Sequence, residues 1–366
     1  MVFLTQLCYN ARMIAERRKV IGQSAVETRE AIAAPPEQTW AVLGMLRFAM
    51  AFVVFASHSS GYLSGWLSNG PMLGPYGAVL VFFAVSGYSI AHSLRNGSAG
   101  FYQRRIDRIY PLYFFSLVLG ALPFLFWGPA IVHGNFFLEA PATPWSYVAQ
   151  FFFLQGILTP HFPTAGPTWS LAIEAVYYAA APLLIRLSER WILALAGLSA
   201  LCYCFHDSLG AATFIDPHDH APFVFLLWAW LGGFWFYRHR DQRRAQLALM
   251  FVGVGMIGVY DQTPERFTSL TCMLGAFLLS QAHAMPWLSP KMQRLGNWLG
   301  NISYPLYICH EVFYCLLIPA LPSVPGWIIS LLVLVCVVLA YHLIDAPYQR
   351  YSRRRYARPA LLVSAA

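Results

Sequence analysis

Charged residues are scarce in this chain. Only 11% of its 366 residues are Asp, Glu, Lys or Arg, whereas soluble globular domains carry about 25%. Hydrophobic residues make up 58% of the chain, and the mean hydropathy is +0.52. The length alone would allow about two or three soluble domains. The scarcity of charge argues against two or three soluble domains and indicates a single membrane domain.

Two further absences narrow the function. Cys202 and Cys204 have no His or second Cys pair at zinc-ligand spacing, and six of the seven cysteines lie in apolar segments, so buried thiols and no metal site are expected. The net charge of +8 is not accompanied by an RNA- or DNA-binding motif. The basic excess is therefore interpreted as a topology signal facing anionic lipid, with no nucleic-acid partner.

Apolar segments recur along almost the whole chain. Segments of about 17–25 residues are long enough to cross a membrane as helices. The sequence predicts an all-α integral membrane protein with about ten transmembrane helices, at residues 41–60, 75–93, 109–129, 169–187, 191–206, 221–237, 245–260, 266–284, 297–319 and 324–344.

Basic residues fall on one side of this layout. With the N-terminus inside, 23 of the 24 Lys and Arg residues lie in inner segments, and Arg266 is the exception. The positive-inside rule then predicts that both termini are cytoplasmic. Residues 1–40 are predicted to be a cytoplasmic N-terminal extension, 41–345 the transmembrane domain and 346–366 a basic cytoplasmic tail.

One apolar segment does not fit as a span. Residues 146–158 number about 13, too few to cross comfortably, and counting them as a span would place the later basic clusters outside. We therefore predict a re-entrant or interfacial helix near 146–158 on the outer side. The connections 61–74, 130–168 and 206–220 are expected to cover an outward-facing mouth.

Ionisable residues at membrane depth are costly and tend to be functional. Arg47 and His58 are eleven residues apart, so both point to the same side of one helix, about 16 Å apart along its axis. Glu174, in the fourth predicted span, should lie at a similar depth to His58. A carboxylate beside an imidazole could hold it in the form a general base needs. The alternatives are a snorkelling Arg47, a satisfied interior His58 and a Glu174 paired with a tyrosine hydroxyl.

The connection after the second span carries a pair of arginines. Arg105 and Arg108 are three residues apart, share a helical face and suit phosphate contacts; ordinary topology or lipid-headgroup contact is the alternative. Ser86 and Gly87 form a small step that either admits a narrow ligand or allows close helix packing. The remaining candidates, for acceptor contact or structural support, are Trp169, Ser170, Tyr177, Tyr304 and His310.

Six short motifs stand in order between about residues 43 and 350. They are Arg47 and His58 with ten residues between them, FFAVSG at 82–87, RIDRIYP at 105–111, WSLAIE at 169–174, ISYPLYICH at 302–310, and Asp345 with Pro347 before a basic tail. In this order, the chain resembles the membrane-bound acyltransferase 3 family, integral-membrane O-acyltransferases of bacterial surface glycans. It departs at Asp345, where relatives more often have Glu, and no appended soluble esterase domain is expected after the last span.

The resemblance implies an enzyme of the bacterial inner membrane that crosses it many times. It implies acyl-CoA, usually acetyl-CoA, as co-substrate rather than a bound cofactor, and a glycan or lipid-linked sugar as acceptor. Arg105, Arg108, Ser86 and Gly87 would bind the donor, and His58 with Glu174 and Arg47 would be catalytic. Polysaccharide-assembly proteins are candidate partners. Direct transfer and an acyl-His58 intermediate both remain open.

A second class of function fits the same polar residues. A transporter or flippase of sugar or acyl intermediates could use His58, Glu174 and Glu311 as a relay. Such proteins often have repeated halves or paired broken helices, and the sequence contains no internal repeat. A scaffold in a polysaccharide-export complex is a third alternative, in which His58 would be dispensable.

Overall fold

The structure, a computed structural model, describes residues 34–62, 74–95, 97–133, 136–140, 143–205, 222–260, 268–283 and 288–363. The predicted connections 61–74 and 206–220 and most of the extension 1–40 lie outside the described residues, as does Arg266. The division into extension, membrane domain and tail stays a prediction.

Helices account for most of the described chain. In order they are α1 (Glu37–Tyr62), α2 (Pro75–Leu94), α3 (Phe101–Trp127), α4 (Pro144–Phe151), α5 (Thr168–Leu184), α6 (Glu189–Cys204), α7 (Pro222–Phe225), α8 (Leu227–His239), α9 (Arg243–Tyr260), α10 (Thr268–Gln281), α11 (Pro290–Ala320), α12 (Gly326–Ala340) and α13 (Ala346–Val363).

Each predicted span coincides with a helix, although lengths differ. By length and hydropathy, five stretches of the described chain could cross a membrane: Glu37–Ser59, Pro75–Leu94, Phe101–Trp127, Pro290–Ala320 and Gly326–Tyr356. These support a multi-pass membrane protein. The number ten and the cytoplasmic position of both termini stay predictions, since the helices between α5 and α10 are shorter.

The segment between α3 and α5 differs in detail from the prediction. A two-stranded antiparallel hairpin, β1 (Ala130–His133) with β2 (Phe136–Glu139), interrupts the all-α pattern. The helix predicted near 146–158 is α4, which ends at Phe151. The chain then turns through Phe153 at a positive φ of 58°, which a helix cannot accommodate. The short helix thus contains only half of the predicted segment.

Buried hydrogen bonds hold this segment on α3. The Tyr113 hydroxyl donates to the Gln150 carbonyl at 2.5 Å and accepts from Gln155 Nε2 at 2.7 Å. Thr164 Oγ1 donates to the Gly120 carbonyl at 2.5 Å. Because these polar groups are buried, each missing partner would cost about 1–3 kcal/mol. The segment from α4 to α5 is therefore a fixed part of the fold.

Glycines set the contact between α1 and α11. A Cβ on Gly44 would lie 2.3 Å from the Gly296 carbonyl oxygen, and one on Gly300 would lie 2.7 Å from Gly44 Cα. Only glycine permits so close an approach of the two backbones. The two helices therefore run side by side, and residues further along each of them are brought into contact.

The chain is continuously helical from the start of α12 to the end of α13. Five π-helical residues, Tyr341–Asp345, join α12 to α13. A π turn adds a residue to the helical repeat and changes which side chains face a neighbour. Here Asp345 is buried and faces α3, and α13 packs on the first turns of that helix.

Candidate active site

Two histidines from α1 and α11 meet one another. His58 Nδ1 lies 2.9 Å from His310 Nε2. His58 is half-buried, whereas His310 is fully buried, with 0% of its surface exposed. The close packing of α1 on α11 thus creates a contact between residues 252 positions apart in sequence.

The hydrogen bonds assign the tautomers of both rings. His310 Nδ1 lies 2.7 Å from the Leu306 carbonyl oxygen, which can only accept, so this nitrogen carries a proton. In neutral His310, Nε2 then has a lone pair and accepts from His58 Nδ1–H. His58 Nε2 has no hydrogen-bond partner in the described part of the chain and keeps its lone pair. The chain from Leu306 to His58 therefore leaves a basic nitrogen on the half-buried ring.

Glu174 does not contact His58, which corrects the predicted pairing. Its Oε1 accepts hydrogen bonds from Ser86 Oγ and from the Tyr178 hydroxyl, the latter at 2.6 Å. The depth comparison ignored rotation about the helix axes, and α5 turns Glu174 toward α2. In the described chain, His310 rather than a carboxylate orients His58.

Glu174 instead lines a polar cavity of about 160 Å³ between α1, α2, α3, α5 and α11. This central cavity brings together most of the candidates that lie far apart in sequence. They are Arg47, Ser86, Arg105, Arg108, Ser170, Glu174 and Tyr304.

Positive charge predominates in the central cavity. Arg47 Nε and Arg105 Nε are buried and have no hydrogen-bond partner among the described residues. Arg105 also donates to Ser93 Oγ at 2.9 Å and lies over the Phe101 ring. Buried guanidinium groups with unused donors are suited to an anionic or carbonyl ligand.

Arg108 has a carboxylate partner that was not predicted. Its NH1 donates to Asp345 Oδ2 at 3.1 Å, while the guanidinium lies 5.6 Å from the Tyr304 ring centre. Asp345 is 2% exposed and the Arg108 side chain 30% exposed. The carboxylate thus fixes Arg108 at the rim of the central cavity and leaves part of it accessible.

The neighbouring Asp107 attaches the last helix to the same rim. Its carboxylate accepts hydrogen bonds from Ser352 at 3.0 Å, Tyr348 at 3.3 Å and Tyr356 at 2.6 Å. The residue preceding Arg108 is therefore structural, and α13 packs against the part of α3 that carries Arg108.

Three candidates have structural contacts. A Cβ on Gly87 would collide with the Trp230 carbonyl of α8, at 1.9 Å, so the helix-packing alternative describes Gly87 and the donor-binding prediction does not. The buried Tyr177 hydroxyl donates to the Phe223 carbonyl at 2.8 Å. Trp169 is partly buried against the main core.

A hydrogen-bonded pair stands between the central cavity and the histidines. Ser170 Oγ and the Tyr307 hydroxyl are 2.7 Å apart, and both residues line the cavity. Tyr307 precedes His310 by three residues, about one helical turn or 4.5 Å along α11. Sequence reasoning missed Tyr307, although its spacing from His310 placed both on one face of the helix.

The loop before α5 packs against α11 at the residue that follows His310. A Cβ on Gly166 would lie 2.5 Å from Glu311 Oε2, so the loop backbone passes directly over the carboxylate that follows His310. Burial lowers the pKa of His161 in this loop, and the nearby Glu311 acts in the opposite direction. His161 and Glu311 are therefore polar neighbours in the region beside His310.

Comparison with known families identifies the chain. A sequence model described as an acyltransferase domain, acyltransferase 3, matches residues 43–344. The chain belongs to the acyltransferase 3 family. Membership makes it an acyltransferase and favours acyl transfer over the transporter alternative.

One curated relative adds weaker support. The acyltransferase MdmB of Streptomyces mycarofaciens is 31% identical over 136 residues, which are 35% of this chain and 34% of the relative. The chain thus matches about a third of that protein's length. No solved structure matches.

Proposed function

We propose that this acyltransferase moves an acyl group, most simply acetyl, from cytoplasmic acyl-CoA to a hydroxyl of an extracytoplasmic glycan or lipid-linked sugar, in a bacterial inner membrane. His58 would be the general base. The hydrogen-bond chain from the Leu306 carbonyl through His310 to His58 carries this proposal, because it leaves His58 Nε2 with a lone pair.

The central cavity supports an anionic thioester donor. Arg105 and Arg108 lie at one end, where they can bind phosphate oxygens, and Arg47 has a spare donor for a thioester carbonyl. At about 160 Å³ the cavity is smaller than the roughly 300–1,000 Å³ of typical ligand sites. It would take the narrow pantetheine arm, while the nucleotide stays outside.

The reaction then needs one proton carrier. His58 Nε2 removes the proton of the acceptor hydroxyl as its oxygen attacks the thioester carbonyl. The carbon–sulfur bond breaks, and the imidazolium returns the proton to the departing thiolate, which leaves as coenzyme A. His310 would be a positioning residue that holds His58 in the productive tautomer. In the acyl-enzyme alternative, His58 Nε2 would itself attack the thioester.

His58→Gln tests the proposal in membranes given acetyl-CoA labelled in the acetyl group. Transfer of label to the envelope glycan should fall about a thousandfold, within the range for a positioned general base. His92→Gln is the matched control, since His92 is a partly buried histidine that bonds Tyr237 at 3.1 Å, away from the pair.

Near-normal transfer by His58→Gln would refute the assignment of the base. The transporter alternative predicts that no membrane consumes acetyl-CoA, including that of the unaltered protein. Polysaccharide-assembly proteins remain candidate partners, to be sought by crosslinking in the unaltered strain.

A further inference from the structure

A second, larger cavity lies away from the candidate active site. It is an apolar groove of about 460 Å³ that lies between two helix pairs, α6 with α8 and α9 with α10, against α2. Its lining is almost entirely aliphatic and aromatic, and it includes none of the residues proposed for acyl transfer. We propose that this groove binds one acyl chain of an anionic phospholipid, whose headgroup lies against the arginines at the start of α6 and α9.

The dimensions favour a phospholipid chain. Along α6 the lining runs from Ile192 to Cys204, twelve residues or about 18 Å. The hydrocarbon core of a bilayer is about 30 Å thick, so one leaflet accounts for about 15 Å. The groove therefore has the depth of a single leaflet, which a chain lying along the helices would fill.

Space in the groove is open at two glycines. Among the described residues, a Cβ on Gly197 of α6 or on Gly232 of α8 would meet no atom within 4 Å. By contrast, a Cβ on the neighbouring Gly233 would lie 1.8 Å from the Ala84 carbonyl oxygen. Gly233 packs helices together, while Gly197 and Gly232 leave room for a hydrocarbon chain.

Positive charge is concentrated about one turn beyond one end of the groove. Arg190 precedes Ile192 on α6, Arg238 follows Trp235 on α8, and Arg243 and Arg244 precede Ala248 on α9; Arg190, Arg243 and Arg244 are exposed. An anionic headgroup at this level would meet several cations at once.

Acidic and neutral groups at the same end reduce the charge only in part. Glu189 accepts from Trp235 Nε1 at 2.8 Å and pairs with His239, and Asp241 lies 3.9 Å from both Arg240 and His283. Arg240 and the four arginines of the preceding paragraph outnumber the two carboxylates, Glu189 and Asp241. This end of the groove therefore keeps an excess of positive charge. The site is thus complementary to a phosphate and not to a neutral headgroup.

Lipid binding can be measured on the purified full chain in non-ionic detergent. Phosphatidylglycerol and phosphatidylcholine with identical chains are added, and lipid adducts are counted by native mass spectrometry beside the thermal unfolding midpoint. Phosphatidylglycerol should bind more tightly and raise the midpoint further. The variant R243A/R244A should weaken phosphatidylglycerol binding roughly thirtyfold, from about fivefold for each arginine.

Two matched controls distinguish binding in the groove from the general effects of removing positive charge and of adding a larger side chain. R353A/R354A removes the same charge from exposed neighbours in α13 and should bind phosphatidylglycerol normally. Gly232→Leu should weaken both lipids at least about tenfold by filling the groove, whereas Val335→Leu, on an exposed face of α12, should not. Gly197→Leu replaces Gly232→Leu if that variant fails to fold.

Three results would overturn the proposal. If R243A/R244A and R353A/R354A lost phosphatidylglycerol binding equally, the binding would be due to surface charge in general and not to this groove. Unchanged lipid binding in a folded Gly232→Leu or Gly197→Leu protein would leave the groove without a chain. Tighter binding of a polyprenyl phosphate than of phosphatidylglycerol would make the occupant a different lipid.

Discussion

The histidine pair and the central cavity share the helices α1 and α11, to which the cavity adds α2, α3 and α5, but the two sites differ in how far their polar groups are satisfied. In the pair, three of the four ring nitrogens are hydrogen-bonded, and His58 Nε2 has no partner among the described residues. In the cavity, two arginine Nε groups are buried without a partner in the described chain. One site is ready to move a proton, and the other is ready for an anion.

This difference separates turnover from donor binding. If the proposal is correct, substitutions at the histidine pair should lower kcat, and substitutions at the arginines should raise the KM for acyl-CoA.

The largest of these effects is expected at His310. His310→Ala removes the acceptor for His58 Nδ1–H, so His58 can adopt the wrong tautomer, and kcat should fall about a hundredfold with little change in donor KM. His310→Gln, which retains an acceptor oxygen, should recover part of kcat and shift the pH profile. Equal changes in KM, or no recovery, would indicate that His310 only fills space.

In the central cavity, Arg105→Ala and Arg108→Ala should each raise the KM for acyl-CoA at least about tenfold, because a charge-assisted hydrogen bond contributes about 1.5–3 kcal/mol. The measurement is initial rate against donor concentration. Arg104→Ala is the control, since Arg104 is partly buried, donates to the Ala99 carbonyl at 2.7 Å and does not line the central cavity. If all three variants had the same KM, Arg105 and Arg108 would not bind the donor and would serve only to orient the protein in the membrane.

Asp345→Asn asks whether Arg108 depends on its partner. Because the Arg108 side chain is 30% exposed, loss of the ion pair should cost about 1 kcal/mol of stability and raise donor KM about threefold. Combining it with Arg108→Ala in a double-mutant cycle should add almost nothing to donor KM. Additive changes would mean that Asp345 acts independently of Arg108.

The smallest effect is expected between the two sites. Tyr307→Phe removes the hydroxyl that meets Ser170, and it should change kcat/KM only about twofold, since a neutral hydrogen bond can contribute as little as about 0.5 kcal/mol. Ser170→Ala breaks the same bond and should match it. A much larger loss in Tyr307→Phe alone would give the phenol a role in the chemistry.

Much of the fold followed from local sequence. Apolar runs marked the helices because a membrane helix must satisfy its backbone internally and present apolar side chains to lipid. Arg105 and Arg108 lie on one helix, as their spacing predicted, whereas their place at the central cavity was not predicted. Periodicity could not fix α4, because Phe153 ends the helical path by its own backbone conformation.

Pairing across helices was beyond the sequence. Residue spacing gives the depth of a side chain along its helix, but it does not give the rotation of that helix relative to another. The prediction therefore paired Glu174 with His58, whereas Glu174 faces Ser86. His310 was recognised only as acceptor contact or support, and Asp345 only as part of a motif. Both acquired specific partners through contacts more than two hundred residues apart.

By itself the sequence determined the chemical inventory: an apolar chain with a few intramembrane cations, carboxylates and imidazoles in a family-specific order. Tertiary structure alone decided which of them touch. The physical reason is that glycines such as Gly44 and Gly300 let two backbones approach closely, which sets the rotation of each helix and therefore brings His58 to His310.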